Sequence, residues 1–257
     1  MYRRVAGGGT YLDAFAGTGE VSIGGASRPG SAGVALKSKA FRRYRLYERP
    51  EQARNLEHYI SLNCGPITSM RIKVIPGDCN EMIKTDLANE VISRDKPCFA
   101  FLDPDSTQLD WDTVEALAKY KTWSPEKRQC RVELFVLLNT HPALPRARET
   151  NPEVLDRIMG GREAWSDLRD RGEGPSMYAH RYAERLHEEL GYGAVVPILI
   201  SDPATRRPQY YMIHASDHQA AHGFMSWARR ATEESTGGRA PIFTTATPAV
   251  QKLRRQK

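Results

Sequence analysis

The sequence predicts an α/β fold: a seven-stranded, mostly parallel sheet with an antiparallel last strand and helices on both faces. Three observations predict it. Apolar runs of strand length alternate with amphipathic helical stretches over residues 11–138, the mark of a parallel sheet wrapped by helices. The run at 132–138 is almost continuously apolar, so both its faces must be covered. Near the end, two strand-like runs at 195–200 and 209–215 are separated only by the polar stretch 201–208. That stretch is too short for a crossover helix, so the last pair must be antiparallel.

In order, residues 11–15 form the first predicted strand and 45–48 the second. A helix over 51–61 follows, with Ala53, Leu56 and Ile60 on one face. Residues 71–75 alternate as a third strand, and 81–92 carry Met82, Ile83, Leu87 and Val91 at helical spacing. The fourth strand spans 98–102. A helix over 112–121 buries Val114, Leu117 and Ala118, and leads to the fifth strand at 132–138. A long polar insertion at about 140–175 has one expected helix at 152–159, and a helix over 177–190 precedes the closing pair. The glycine- and serine-rich stretch 24–33 reads as a loop.

The stretch Tyr11-Leu12-Asp13-Ala14-Phe15-Ala16-Gly17-Thr18-Gly19-Glu20 carries the most functional information. Gly17 and Gly19 reach backbone angles closed to other residues and leave the backbone open to a ligand. An acid at the strand end suits a ligand with hydroxyls and positive charge. A pyrophosphate would want a third glycine and a bare helix N-terminus, and position 22 is Ser22. This turn points to S-adenosylmethionine (SAM), whose ammonium and sulfonium need neutralising, over a nicotinamide dinucleotide. Five parallel strands closed by an antiparallel hairpin are also the layout of the Rossmann-like class I SAM-dependent methyltransferases.

In open α/β sheets ligands sit outside the carboxyl ends of the strands, near the reversal of strand order. Glu48 closes the second strand, where its carboxylate can accept both ribose hydroxyls. Asp78 follows the third, placed to meet the adenine amino group, with Cys79 beside it. Asp103-Pro104 closes the fourth, facing the methyl donor. Each acid also has a plain reading as a helix cap or turn residue. The expected cofactor set is Asp13, Phe15, Gly17, Gly19, Glu48, Asp78 and Cys79; the expected catalytic pair is Asp103 and Pro104. Amino-directed methyltransferases add an aromatic ring after this proline, where the chain has Asp105-Ser106. Trp111 is the candidate to supply that ring, or else a core anchor. In the insertion, His141 is a candidate base and Arg146, Arg148 and Arg162 are candidate substrate contacts. His214, His218 and His222 lack the acidic companion of a zinc motif and read as packing or surface histidines, so no metal is expected.

Composition narrows the class. The 257 residues are 40% apolar and 26% charged, enough for a single domain over 1–233 with a real core. No apolar run reaches membrane-spanning length. Four scattered cysteines (Cys64, Cys79, Cys98 and Cys130) read as reduced thiols of a cytoplasmic protein. A net charge of +6, part of it in a basic tail over 234–257, leans toward an RNA or DNA partner.

With those residues in view, the chain resembles the three-Cys-motif partner proteins, a bacterial family with a methyltransferase-like fold. The resemblance rests on residues 11–19 and Gly30-Ser31, Glu48, Gly77-Asp78-Cys79-Asn80, Phe101-Leu102-Asp103-Pro104 with Trp111, Gly161-Arg162-Glu163-Ala164-Trp165, and Tyr210-Tyr211-Met212-Ile213-His214-Ala215-Ser216. It covers most of residues 11–233. It implies pairing with a separate radical-SAM-like protein that carries the three-cysteine motif. Family members usually have a helical segment before the first strand and Phe-Gly after the Asp-Pro of the fourth. Only ten residues precede Tyr11 here, and Asp105-Ser106 stands in the second position. The alternative function is a non-catalytic SAM-fold subunit that binds nucleic acid or that partner.

Overall fold

The computed structural model describes residues 8–66, 70–122, 131–141, 143–169, 176–202, 205 and 207–218. Along the chain lie β1 (Thr10–Asp13), β2 (Glu20–Ile23), β3 (Ala26–Pro29), α1 (Ser31–Ser38), β4 (Arg43–Glu48), α2 (Pro50–Asn63), β5 (Ile72–Pro76), α3 (Cys79–Ala88) and β6 (Cys98–Leu102). They are followed by α4 (Trp111–Tyr120), β7 (Glu133–Leu138), α5 (Ala143–Thr150), α6 (Pro152–Met159), two 3-10 turns (Arg162–Ala164 and Ser166–Arg169), α7 (Ser176–Glu188), β8 (Ala194–Ser201) and β9 (Pro208–Ser216).

Seven strands form one sheet in the order β5-β4-β1-β6-β7-β9-β8. The pairs β5–β4, β4–β1, β1–β6 and β6–β7 are parallel, and β9 is antiparallel to both β7 and β8. This is the mixed sheet expected from the sequence. Strand order reverses beside β1: the chain moves outward through β4 and β5, then returns to β6 on the other side. The right-handed crossover rule therefore puts the helices before and after the return on opposite faces.

The two cores follow from that rule. On one face α1 and α2 pack Ala32, Leu36, Leu56 and Ile60 against Tyr11, Tyr44, Leu46 and Val74. On the other, α3 to α7 bury Ile83, Leu117, Ile158 and Tyr182 against Leu12, Ala100, Val136 and Ile213. No helix among the described residues is long and apolar enough to cross a membrane.

One local expectation is corrected. The stretch 24–33 read as a loop holds the turn and second strand of a β-hairpin and the start of α1, with Glu20 to Ile23 paired antiparallel to Pro29 to Ala26. Gly24 and Gly25 turn it with φ of 59° and 80°, the signature of a two-residue hairpin turn, and residues outside the strands signalled it poorly because the hairpin is exposed. Its base is held by Gly30 N–H donating to the Gly19 carbonyl at 3.0 Å. There α1 approaches the glycine turn so closely that a Cβ on Gly33 would press into the Gly19 carbonyl oxygen, with Tyr59 Oη 2.9 Å away.

Gly33→Ala separates two opposing effects. Alanine favours the helix by about 1 kcal/mol, whereas overpacking against fixed backbone costs about 1–3 kcal/mol. The clash wins, and chemical denaturation should show a net loss of stability. An unchanged or raised midpoint would mean that α1 is free to back away from the turn.

Candidate functional site

The carboxyl ends of β1, β4, β5 and β6 meet at the reversal of strand order. The turn after β1 is fixed from several sides. Asp13 is fully buried. Its Oδ2 accepts from Tyr11 Oη at 2.9 Å and Ser31 Oγ at 2.8 Å, and its Oδ1 accepts from Phe15 N–H at 3.2 Å. Strand, turn and helix α1 are thereby joined through one carboxylate. Burial pushes the Asp13 pKa up to about 6, against the pull of those three donors and with a small push from nearby Asp103.

Gly17 and Gly19 have φ of 60° and 87°, as the sequence required. Gly17 N–H donates to Glu48 Oε2 at 2.6 Å, and Arg49 N–H donates to Glu48 Oε1 at 2.7 Å. The Glu48 carboxylate thus stands at the mouth of the turn, partly exposed. A Cβ on Gly17 would meet nothing within 4 Å, whereas one on Gly19 would strike the Tyr59 ring. The backbone is open at Gly17 and sealed at Gly19.

Asp78 caps α3: its Oδ1 accepts from Asn80 N–H at 2.8 Å, while the side chain remains exposed. Asn80 is a residue that the sequence offered without a role. Its Nδ2 donates to the Gln108 carbonyl at 2.8 Å, and its Oδ1 accepts from Asp110 N–H at 3.0 Å and Thr113 Oγ1 at 2.9 Å. These bonds tie the loop after β6, which holds Asp103 and Pro104, to the start of α3. Arg157 holds the same loop from α6, through the Thr107 carbonyl and Asp110. The Asp103 carboxyl is raised by burial and by Asp105, and Pro104 is buried.

Strand register puts Tyr11 and Asp13, Phe101 and Asp103, Leu137 and Asn139, and Tyr210 on one side of the sheet. Asp103 adds to the raised pKa of Tyr210, whose larger cause is burial. Asn139 Oδ1 is shielded and has no hydrogen-bond partner. The apolar run of β7 hid Asn139 from the sequence reading, because the polar residue lies just past the end of the strand.

Four of the expected contact residues have partners within the fold. Asp13 is saturated beneath the turn, so it positions the backbone and does not face the cleft. Cys79 points into the core at 6% exposure, and burial pushes its thiol up to about 12. Trp111 is the core anchor, at 3% exposure, with Tyr182 edge-on at 4.9 Å and the Arg185 guanidinium 4.1 Å from its ring centre. Arg162 is engaged by Asp156 through two hydrogen bonds of 2.8 Å and lies over the Trp165 ring, whose Nε1 also donates to Asp156. The Gly-Arg-x-x-Trp element is therefore a clip that closes the chain after α6. Phe15 is half-buried against the larger core.

His141 Nδ1 lies 2.8 Å from Thr140 Oγ1, and burial lowers its pKa. Arg148 reaches Tyr178 Oη at 3.4 Å. His214 Nε2 is 2.7 Å from Glu133 Oε1. Among the described residues Cys79 and Cys98 are free thiols; Cys130, His222 and the tail lie outside the described residues.

No family model and no curated protein matches the sequence. Among solved structures, the chain is similar to the methyltransferase domain of a bacterial CtHen1 (14% identity, 80% of this chain and 89% of that one, TM-score 0.45). It is also similar to the DszA carbon methyltransferase (16% identity, 81% of this chain, TM-score 0.45), of which it spans 47%. A third is a predicted O-methyltransferase from Agrobacterium tumefaciens (14% identity, 81% and 73% covered, TM-score 0.38). At such low similarity, the functional reading rests on the geometry of this chain.

The raised Asp13 pKa has a signed consequence. Between the ordinary value of 3.8 and about 6 the folded state holds a proton that the unfolded state has lost. Stability therefore falls as pH rises through that window, by about 3 kcal/mol from this group. Denaturation midpoints measured across pH 3.5–7 should show this fall in the wild type and a shallower one in Asp13→Asn. Parallel curves would contradict the assignment.

Proposed function

We propose that this chain is a SAM-dependent methyltransferase whose acceptor is a nucleic acid. The observation that carries the reading is the Gly17–Glu48 pair: an open backbone and a partly exposed carboxylate, 2.6 Å apart, at the reversal of strand order. The residues present fit the cofactor. Gly17 leaves the space that a side chain would fill. Each Glu48 oxygen accepts one backbone N–H and keeps a lone pair for a ribose hydroxyl. The exposed Asp78 carboxylate has an oxygen beyond the one that caps α3, available to an adenine amino group. Bound there, SAM would supply an electrophilic methyl group.

The rest is alignment. Asp103, held in place by the Asn80 and Arg157 contacts to its loop, orients the acceptor and accepts a hydrogen bond from it. Pro104 is buried and stiffens the backbone beneath it. The net charge of +6 supports a polyanionic acceptor, and a three-Cys-motif radical-SAM-like partner remains part of the proposal. One observation favours a second reading, a non-catalytic subunit of the same fold. With Trp111 buried, Asp105 and Ser106 leave Asp103 without the stacking ring expected after the proline.

Calorimetry with S-adenosylhomocysteine should show binding to the wild type. Glu48→Ala should weaken it at least about thirtyfold, from the loss of hydrogen bonds to a charged acceptor. Labelled methyl from SAM should enter RNA or DNA, and Asp103→Ala should abolish the transfer. Absence of binding at millimolar ligand defeats the methyltransferase reading. Binding without transfer selects the second.

A further inference from the structure

No aromatic ring follows Asp103-Pro104 in the chain, and Trp111 is buried in the core. A different ring stands beside Asp103, and strand register places it. Leu102 of β6 pairs with Val136 of β7, and Leu137 of β7 pairs with Met212 of β9. Asp103, Leu137 and Met212 are therefore level with one another on one side of the sheet. Tyr210 lies two residues before Met212, and side chains two apart on a strand share a side. Because β9 runs antiparallel to β7, those two residues carry Tyr210 toward the edge that holds the candidate site. Asp103 and Tyr210 thus share a face and an edge, with only β7 between their strands.

That edge suits a flat ligand. Two strand spacings set β6 and β9 about 10 Å apart, with Asp103 on one side of the gap and Tyr210 on the other. Asp103 contributes to the raised pKa of Tyr210, so the carboxylate and the phenol are close enough to interact. Lower on the same side, Phe101 and Phe135 already pack together, with ring centres 5.9 Å apart. Tyr210 is half-buried, so part of its surface stays open. Its neighbour differs: Tyr211 faces the larger core and is 8% exposed. The backbone at Tyr210 is fixed from both sides. Ile200 of β8 is its partner, and His141 N–H donates to the Gln209 carbonyl at 3.2 Å. A ring carried on a paired strand is held more precisely than one on a loop.

We infer that Tyr210 is the stacking platform of the site: a nucleobase turned out of its strand lies on this ring and directs an N–H edge at Asp103. The substrate class is then a planar nitrogen heterocycle and not a sugar hydroxyl. Every base has a face that can stack on an aromatic ring, and a carboxylate accepts from the amino group at its edge. Exposed Arg207, three residues earlier at the same edge, adds positive charge for the phosphates of the strand. The inference rests on the proposed SAM cleft, and it holds whether or not a methyl group is transferred.

Fluorescence anisotropy tests it, with labelled single-stranded RNA and DNA dodecamers at saturating S-adenosylhomocysteine and an abasic strand of the same length beside them. Tyr210→Phe keeps the ring and should bind the strands as the wild type does. Tyr210→Leu fills the half-buried position without a π face, and should bind at least about fivefold more weakly to the better of the two strands. On the abasic strand all three proteins should bind alike, and their affinity for S-adenosylhomocysteine should be equal. Equal binding of the base-bearing strands by the two variants would overturn the inference. A loss of the same size on the abasic strand would overturn it too, as would a wild type that takes up S-adenosylhomocysteine and neither strand. A wild type that fails to bind S-adenosylhomocysteine would defeat the cleft itself, and the inference with it.

Discussion

The hydrogen bond from Gly17 N–H to the Glu48 carboxylate joins the ends of β1 and β4, beside the reversal of strand order between β1 and β6. A glycine is required at 17 because φ is 60°. With a carboxylate opposite, the amide has a partner that is itself partly exposed. The surrounding contacts serve to keep this geometry. Asp13 anchors the strand end to α1 through Ser31, and the close packing of Gly33 against Gly19 keeps α1 and α2 against the turn. The turn is therefore held from several sides by the protein's own contacts.

Charge at this end of the sheet is graded by burial. Asp13 is sealed and holds its proton up to about pH 6, so its negative charge is costly and needs three donors. Asp103 is partly buried, with Asp105 beside it. Glu48 and Asp78 are the more open carboxylates, each with one or both oxygens already on backbone N–H groups. This gradient sorts the acids by task. The sealed one holds the fold, and the open ones can meet a cationic, hydroxyl-bearing ligand.

Much of this was legible in the sequence because it is written in local pattern. Strand periodicity marked all seven strands of the sheet to within two residues of their ends, and the short 201–208 connection dictated the antiparallel pair. Acids at strand ends were legible because the chain must turn there. What the sequence concealed was the direction of side chains. Cys79 stands next to an exposed cap but faces the core, because the first turn of a helix points successive residues in different directions. Trp111 is buried in packing, and Arg162, with its side chain 53% exposed, pairs with Asp156. The 20–29 hairpin, with its exposed strands, left no apolar stripe to read.

The proposed cofactor site depends on Glu48 as the ribose contact. The most direct measurement is a crystal structure of the chain with S-adenosylhomocysteine. Both ribose hydroxyls should lie within about 3 Å of the Glu48 carboxylate oxygens, with the Gly17 backbone against the ligand. An adenosyl group bound elsewhere, with Glu48 still closed only on Gly17 and Arg49, would contradict it.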